Sequence, residues 1–399
     1  MRTHRLFEVN LGVVLSVGLL LNPAAWANDS TFGGAAGALA PLKESRVRMA
    51  SEDILIESIS DDYWAVEAKY VFENTTDADV SLQMGFPELG CMGDCDRDHP
   101  FTMNGLITEV RGKPVYHRTG RIKPDNKPVW APRLGLIHLF DVAFKPQEKV
   151  TVIHRYRHAA SMSVDGMSVT YLTRTGAFWN GPIGRAQFTI RHRNKHYYTT
   201  YPKDFTLVDR FETPTKDGSL WTYRFEMKNW RPVSDLYLFF GNPMERIAQT
   251  CPLPYDVVFA HRDAQKRFVD GHPQTIDAHV AKALFAGLEK PMLRICRNLP
   301  YAVHGYAFKS ADLNTLFYPK PTIRRCDDCD ADDGMPRETV HFYHALNAKF
   351  VEQLLDDEDR LYVRVARAAE GILAAKEKAA KSDLTGTKTP STQPRPNQD

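Results

Sequence analysis

The sequence predicts a mainly β N-terminal region followed by a smaller, mainly α C-terminal region. Over residues 52–240, apolar and polar residues alternate in short segments rich in Val, Tyr, Phe and Thr. Gly, Pro, Asn and Asp separate these segments, which is typical of antiparallel sandwiches and barrels. After Cys251 and Pro252 the apolar spacing becomes helical and the composition becomes Ala-rich. We therefore expect one or two antiparallel β-sandwich modules and then a helical region.

The individual strands are predicted from their period-two alternation and from the turns between them. They cover residues 63–72, 79–86, 138–145, 149–158, 167–174, 185–193, 219–228 and 235–240, with a hairpin in 107–118 around Arg111-Gly112-Lys113. The stretch 185–195 is locally basic. Because its basic residues alternate with apolar ones, it favours the solvated face of a strand over a polyanion site.

The C-terminal region is predicted to contain helices at 263–268 and 276–288, and one long helix or two at 337–381. The last segment carries an apolar stripe that we interpret as a core face. The stripe consists of Phe342, Leu346, Phe350, Leu354 and Leu361. Residues 382–399 are rich in Thr, Pro, Gln and Asn and are expected to be disordered.

Residues 1–27 have the three parts of a secretory signal peptide. Arg2 and Arg5 supply a basic start, residues 11–21 form an apolar run, and Ala25-Trp26-Ala27 is a small-x-small cleavage site. The apolar run is too short to cross a bilayer, which requires about 20 residues. We expect cleavage after Ala27, a flexible leader at 28–45, and a mature chain without a transmembrane segment.

Composition limits the partners and the number of domains. The 399 residues carry a formal net charge of +2, which gives no strong field for a nucleic acid. A mature chain of this length predicts two or three domains. The expected boundaries are 46–245 for the β region, 251–325 for an α-rich domain, and 326–381 for an acidic loop with a C-terminal helix.

The six cysteines are candidates for disulfides. An even number of cysteines in an exported chain indicates disulfides, because the periplasm is oxidising. Six thiols allow 15 connectivities, so pairing in chain order is a hypothesis. The pairs that chain order gives are Cys91/Cys95, Cys251/Cys296 and Cys326/Cys329.

The segment 326–344 is also a candidate zinc site. Cys326 and Cys329, followed by His341 and His344, approach the ligand spacing of a structural zinc site. Two histidines three residues apart share one face if the segment is helical. The gap between these histidines is one residue shorter than usual, and a periplasmic Cys-x2-Cys oxidises easily.

The same segment is a candidate calcium loop. Asp328, Asp330 and Asp332 alternate as oxygen ligands in a loop do, but Asp333 stands where an EF-hand has Gly. Neither metal pattern is complete. We therefore favour a solvated acidic loop and no cofactor, with zinc and calcium as the alternatives.

A series of short motifs resembles one exported family. The motifs are Met49-Ala50-Ser51-Glu52-Asp53, Val71-Phe72-Glu73-Asn74-Thr75-Thr76-Asp77, Gly85-Phe86-Pro87, Val110-Arg111-Gly112-Lys113-Pro114-Val115, Val152-Ile153-His154-Arg155-Tyr156-Arg157, Trp179-Asn180-Gly181-Pro182-Ile183-Gly184, and Trp230-Arg231-Pro232 with Asp235-Leu236. In this order they make residues 46–241 similar to the bacterial family called domain of unknown function 4424.

Residues 296–308, CRNLPYAVHGYAF, resemble the YARHG domain. Val303 stands where the Arg of the family's name stands, and Pro300 replaces an aliphatic residue. From the residues alone, His304 is expected to be a buried hydrogen-bonding residue and Gly305 to permit a tight turn. Both families are exported and neither has an accepted reaction, so the resemblance implies location and modularity rather than a chemistry.

The chain lacks the common catalytic motifs: no nucleophile elbow, H-E-x-x-H, P-loop or dinucleotide fingerprint occurs in it. We therefore predict an exported periplasmic binding or scaffold protein and lean against an enzyme. Its partner would be another envelope protein or a cell-wall component. The alternatives are a cell-envelope hydrolase with unassigned carboxylate or His residues, and a metal-binding protein that uses the 326–344 loop.

The candidate binding surface lies on two predicted loops, 91–99 and 118–133. Sandwiches commonly bind through loops at one end. Within Lys127-Pro128-Val129-Trp130, Trp130 is the candidate contact residue. The other interpretation is that Trp130 is buried beneath its own loop.

Overall fold

The structure is a computed structural model. It describes residues 30–33, 40–60, 63–89, 103–121, 134–159, 161–163, 166–193, 196, 198–215, 218–241, 251–268, 271–325, 338–343, 346–347 and 349–386. Within these residues, a body of three β-sheets is followed by a smaller helical region, as the sequence predicts.

The strands are numbered in chain order. They are β1 Ser30–Gly33, β2 Ala40–Leu42, β3 Val47–Ser58, β4 Tyr63–Asn74, β5 Val80–Leu89, β6 Met103–Val110, β7 Lys113–Val115, β8 Arg118–Arg121, β9 Leu134–Phe144, β10 Lys149–Ala159, β11 Ser161–Ser163, β12 Gly166–Tyr171, β13 Ile183–His192, β14 Tyr198–Pro202, β15 Leu207–Thr215, β16 Gly218–Trp230, β17 Leu236–Gly241, β18 Thr322–Arg325 and β19 Glu338–Tyr343. A short 3-10 helix, Arg174–Phe178, precedes β13.

Three sheets result from the strand pairing. Sheet one has the order β2-β1-β5-β9-β8, sheet two β15-β16-β13-β3-β4-β10-β6-β7, and sheet three β11-β12-β17-β14-β19-β18. The pairing is antiparallel except between β3 and β13, where Ile54 lies opposite Phe188 in a parallel pair. A parallel pair requires a long connection. Here the whole of β4 to β12 supplies it.

Sheets one and three both pack on sheet two. Phe86 of sheet one stacks on His154 of sheet two with ring centroids 4.2 Å apart. Tyr171 of sheet three meets Phe188 of sheet two edge-on at 6.0 Å. The alternation along β4, with every second side chain buried, places its apolar residues in this core.

The outer face of sheet two is solvated and carries ion pairs. Arg185 lies 3.6 Å from Asp53, and Arg191 lies 3.2 Å from Glu57. The prediction that the basic stretch 185–195 is the solvated face of a strand is therefore confirmed for these residues.

Five α-helices follow in the part of the chain that the structure describes. They are α1 Pro254–Arg267, α2 Pro273–Leu284, α3 Lys290–Val303, α4 Ala311–Phe317 and α5 Asp357–Gly386. Proline stands in the first turn of α1, α2 and α3, where its missing N–H breaks no bond. None of these helices is long and apolar enough to cross a membrane.

The helical region has its own core, and α5 completes it. Tyr362, Val365 and Ala366 of α5 are fully buried among the side chains of α1 to α4. A disulfide joins Cys251, just before α1, to Cys296 in α3, with the Cα atoms 5.4 Å apart. This is the pair that chain order gives.

The prediction of helix from residue 337 onward is wrong for its first part. Residues 338–343 form β19, which joins the edge of sheet three by pairing with β14, and the helix begins only at Asp357. The proposed apolar stripe therefore does not exist as one face. Phe342 lies in a strand, Leu354 in a 3-10 helix and Leu361 in α5. Pairing with an existing sheet edge overrides local helical spacing.

Candidate functional site

The YARHG-like motif forms the contact between the helical region and the β body. His304 follows α3 directly and is 1% exposed. Its Nδ1 lies 2.7 Å from Oε1 of Glu212 in β15, and its Nε2 lies 3.1 Å from Oδ2 of Asp359 in α5. One imidazole thus bonds two carboxylates that lie 92 and 55 residues away from it in sequence. We call these three residues the histidine clasp.

The two carboxylates favour the charged form of His304. Burial lowers the pKa of His304, but its hydrogen bonds to Asp359 and Glu212 outweigh burial and raise the pKa to about 9. His304 is therefore a cation at neutral pH and both ring nitrogens donate. The carboxylate of Asp359 is further stabilised because it lies in the first turn of α5, where the helix dipole favours negative charge.

A capping box holds Asp359 in place. The Asp356 N–H donates to Oδ2 of Asp359 at 3.1 Å, and the Asp359 N–H donates to Oδ1 of Asp356 at 2.9 Å. This reciprocal pair is the usual way to begin a helix. The same carboxylate therefore starts α5 and receives the bond from His304.

Apolar and aromatic contacts surround the clasp. Val303 is 2% exposed and packs in the hydrophobic cluster of the β body, although it lies in α3. The Trp221 ring stacks on His304 with centroids 5.9 Å apart, and the Arg210 guanidinium lies 4.5 Å from the centre of the Trp221 ring. An arginine in place of Val303 would bring a charge into this apolar contact, which explains why the departure from the family motif suits this chain.

A second buried network lies beside the first. The hydroxyl of Tyr223 accepts from Thr199 at 3.0 Å and from Nε of Arg210 at 3.3 Å, and it is hydrogen-bonded to His196. His196 meets Trp221 edge-on at 4.9 Å. The network therefore joins sheets two and three next to the clasp.

A histidine cluster lies between sheets one and two. Oγ1 of Thr108 lies 2.6 Å from Nε2 of His117 and 2.7 Å from Nδ1 of His154, so this hydroxyl can accept from one ring and donate to the other. Nε2 of His138 lies 3.1 Å from Oε2 of Glu88. Burial, with the neighbouring charges of His138 and His154, lowers the pKa of His117 to about 4. His117 is consequently neutral at physiological pH.

The histidine cluster is close to the predicted binding loops 91–99 and 118–133, although residues 118–121 of the second form β8 and not a loop. Glu88 is one residue from the end of β5, and Leu89 at that end pairs with Leu134 at the start of β9. Residues 90–102 and 122–133, which contain Cys91, Cys95 and Trp130, therefore connect to the same end of sheet one. These three residues lie outside the part of the chain that the structure describes.

A buried ion pair between Arg174 and Asp235 lies within the β body. Oδ1 of Asp235 accepts from the backbone N–H groups of Thr173 and Arg174 at 2.9 and 3.0 Å. Its Oδ2 accepts from Nε and Nη2 of Arg174 at 2.9 and 2.7 Å. Four donors on one carboxylate join the start of β17 to the end of β12.

The helix predicted around His341 is not formed. His341 lies in β19, opposite Thr200 of β14, and not in a helix. Burial, with the charge of Arg324, lowers the pKa of His341 to about 4.

The other predicted metal ligands, Cys326, Asp328, Cys329, Asp330, Asp332 and His344, lie outside the described residues. Among the residues with described structure, no group of three or more His, Cys, Asp or Glu side chains is placed to hold a metal ion. The zinc and calcium alternatives for the 326–344 loop stay predictions.

Sequence reasoning missed most of this site. It selected His304 as a buried hydrogen-bonding residue, but not Glu212 or Asp359, because nothing local marks a partner in a distant element. Asp356 and Asp359 carry one readable signal, since their spacing is that of a capping box. Glu88 and His138 give no such signal.

Two family models match parts of this chain. Residues 27–123 match the domain of unknown function DUF4424, and residues 272–324 match the YARHG domain, in that order. Both families are those that the motifs predict, although the first match covers only the beginning of the region 46–241. No curated protein matches the chain.

Solved structures show distant likeness. A candidate nutrient-binding protein of Legionella pneumophila is 18% identical, with a TM-score of 0.44, over 87% of this chain and 99% of that chain. An M1 zinc metallopeptidase of Deinococcus radiodurans is 10% identical, with a TM-score of 0.28, over 50% of this chain and 43% of that chain. A candidate protease of Parabacteroides distasonis is 10% identical, with a TM-score of 0.29, over 82% of this chain and 59% of that chain. Similarity at this level transfers no function.

Proposed function

We propose that this chain is an exported, periplasmic binding or scaffold protein of the cell envelope, and that its work is contact rather than catalysis. The N-terminal sequence supports export, and the match to the YARHG domain supports it further, since that domain is typical of exported proteins. The disulfide between Cys251 and Cys296 suits an oxidising compartment.

The proposal rests on one observation: the buried ionisable side chains described above bind one another. The His304 clasp joins two regions of the chain, Glu88 and His138 join β5 to β9, and Asp235 receives four hydrogen bonds within the β body. In each case the ionisable groups are bonded to one another across element boundaries. Groups bound in this way stabilise relative positions, whereas a catalytic acid or nucleophile has to face its substrate.

The binding surface that we propose is the end of sheet one where the connections 90–102 and 122–133 leave. Rigid strands that present several loops at one end are the common geometry of sandwich binding sites. Trp130 is the residue that we select for contact, because an aromatic ring gives a large binding area with few rotatable bonds. The ligand class at this end is an envelope protein or a cell-wall component.

Export is tested by fractionation and mass spectrometry of the chain expressed in a Gram-negative host. We expect the mature protein in the periplasmic fraction, beginning at Asn28. Full-length protein retained in the cytoplasm with reduced cysteines would contradict the proposal.

Binding is tested with the immobilised mature chain against periplasmic extract and against purified peptidoglycan sacculi. Trp130→Ala is expected to reduce retention of the captured component by tenfold or more, as central aromatic contacts contribute about 2 kcal/mol. Tyr63→Ala, which removes an exposed ring from the outer end of sheet two, is the matched control and is expected to retain it.

The same preparation separates binding from hydrolysis. Incubation with sacculi followed by analysis of released muropeptides is expected to show no release above that of heat-denatured protein. Release by the folded chain would support the hydrolase alternative and refute the contact-only function. Loss of binding in Tyr63→Ala to the same degree as in Trp130→Ala would refute the proposed surface.

A further inference from the structure

The solvent-facing side of α1 is unusual for a helix on a protein surface. Tyr255 is 57% exposed and Phe259 is 67% exposed, and they lie one helical turn apart. Arg262 and Lys266, also exposed, follow at the next turns. At 3.6 residues per turn, these four positions fall within an arc of about 60° and span about 16 Å along the axis. We call these four residues the α1 stripe.

The α1 stripe is separate from the helix's core-facing side. Val257, Val258, His261 and Ala264 are buried and lie on the other side of the helix. An amphipathic helix normally presents polar residues where α1 presents two aromatic rings. The two rings are therefore not part of the side of α1 that packs on the core of the helical region.

The rest of the helical region holds the α1 stripe in a fixed orientation. The disulfide from Cys251 to Cys296 anchors the chain just before α1. The Tyr362 hydroxyl donates to the Pro252 carbonyl at 2.9 Å from the buried side of α5. A preorganised surface loses little entropy on binding.

Charge decides the kind of partner. Residues 251–325 contain 11 Lys and Arg against six Asp and Glu, a net of +5, whereas the whole chain is only +2. Of the two acidic residues of α1, Asp263 is paired with Arg267 at 2.6 Å, and Asp256 accepts a hydrogen bond from the Leu253 N–H at 3.3 Å. Arg262 and Lys266 therefore give the α1 stripe a positive charge, and an anionic partner complements it.

The apolar area of the α1 stripe is too small for a stable interface with another protein. Two rings offer far less than the roughly 800 Å² that each side of a stable protein interface buries. They suit the interfacial zone of a bilayer, where aromatic rings lie at the headgroup level and Lys and Arg reach anionic headgroups.

We propose that the α1 stripe is a peripheral docking surface for a membrane containing anionic phospholipid. The rings enter the headgroup layer and the two cations bind phosphate groups. This surface is distinct from the loop end of sheet one, so it goes beyond the binding function proposed above and does not depend on it.

The test is sedimentation of the full mature chain with phosphatidylcholine vesicles, with and without phosphatidylglycerol. The wild type is expected to bind only the anionic vesicles, and less so in high salt, because salt screens the attraction. Arg262→Gln with Lys266→Gln is expected to weaken binding roughly 30-fold, since each cation near an anionic surface contributes about fivefold. Tyr255→Ser with Phe259→Ser is expected to weaken it about tenfold or more.

The matched control is Lys309→Gln with Lys320→Gln, which removes the same charge from exposed positions of the same region. The logarithm of the fold-loss in this control is expected to be less than half of that in Arg262→Gln with Lys266→Gln. No binding of the wild type to anionic vesicles, or an equal loss in the control, would overturn the proposal. Stripe-dependent sedimentation with sacculi but not with vesicles would also overturn it and assign the α1 stripe to the cell wall.

Discussion

Removing the His304 cation should break the contact between the β body and the helical region. In His304→Gln, Oε1 of Glu212 and Oδ2 of Asp359 lose a donor that lies 2.7 and 3.1 Å from them. Both carboxylates are almost fully buried. The variant therefore leaves two negative charges facing each other in a site from which water is largely excluded.

The free energy of unfolding of His304→Gln is expected to be about 3 kcal/mol lower than that of the wild type. Breaking a buried ion pair by removing one partner costs about 3–5 kcal/mol. The pKa of His304 is raised from 6.5 to about 9 in the folded chain, and a difference of that size corresponds to about 3 kcal/mol of stability. Since the folded pKa is the higher one, this stability is fully present below pH 6.5 and is lost as the pH rises through about 9.

The assay is urea denaturation of the wild type and His304→Gln at pH 6 and at pH 9.5. We expect the variant to lose about 3 kcal/mol at pH 6 and much less at pH 9.5. His261→Gln is the control, because His261 is buried but bonds only Asp277 within the helical region. Hydrogen exchange should show β15 and the start of α5 opening in His304→Gln but not in the control.

A loss below about 1 kcal/mol at pH 6, or an equal loss at both pH values, would refute the reasoning. Adding Glu212→Gln to His304→Gln should recover part of the stability, because it removes one of the two buried charges that His304 no longer contacts. A further loss in this double variant would show that Glu212 acts independently of His304.

Four other variants test the fold. Cys251→Ser with Cys296→Ser should lower the free energy of unfolding by about 4 kcal/mol in a denaturant titration, since the bond closes a 45-residue separation; a loss below about 1 kcal/mol would contradict this. Asp235→Asn should cost about 3 kcal/mol in the same assay, because it breaks a largely buried ion pair with Arg174; an unchanged midpoint would show that the pair is dispensable. Gly184→Ala should cost about 1–3 kcal/mol, since its Cβ would lie 2.5 Å from a backbone carbonyl oxygen, whereas Gly371→Ala, with open space in α5, should stabilise by about 0.5–1 kcal/mol. Equal effects at the two glycines, measured by thermal unfolding, would contradict the steric argument.

The β body was largely readable because its signal is local. In β4 every second side chain is buried, and the period-two alternation of residues 63–72 is visible without a structure. The turn at Gly305, with a φ of 76°, follows from its residue type in the same way. Both signals are complete within a few residues of sequence.

Two features were unreadable because they depend on distant pairing. Phe342 continues the four-residue spacing of Leu346 and Phe350, which favours a helix, but residues 338–343 become β19, since the edge of β14 offers backbone hydrogen bonds to an extended chain. The parallel pairing of β3 with β13 likewise depends on where a remote strand is placed.

The amino-acid sequence alone determined the division into a β body and a helical region, the two families, and the buried character of His304. Only the tertiary structure decided what His304 does. Its two partners come from β15 and α5, elements that share no sequence neighbourhood with the YARHG-like motif. Short-range patterns set secondary structure because they act over one or two turns, whereas the free energy of a buried charge depends on every group that the fold brings around it.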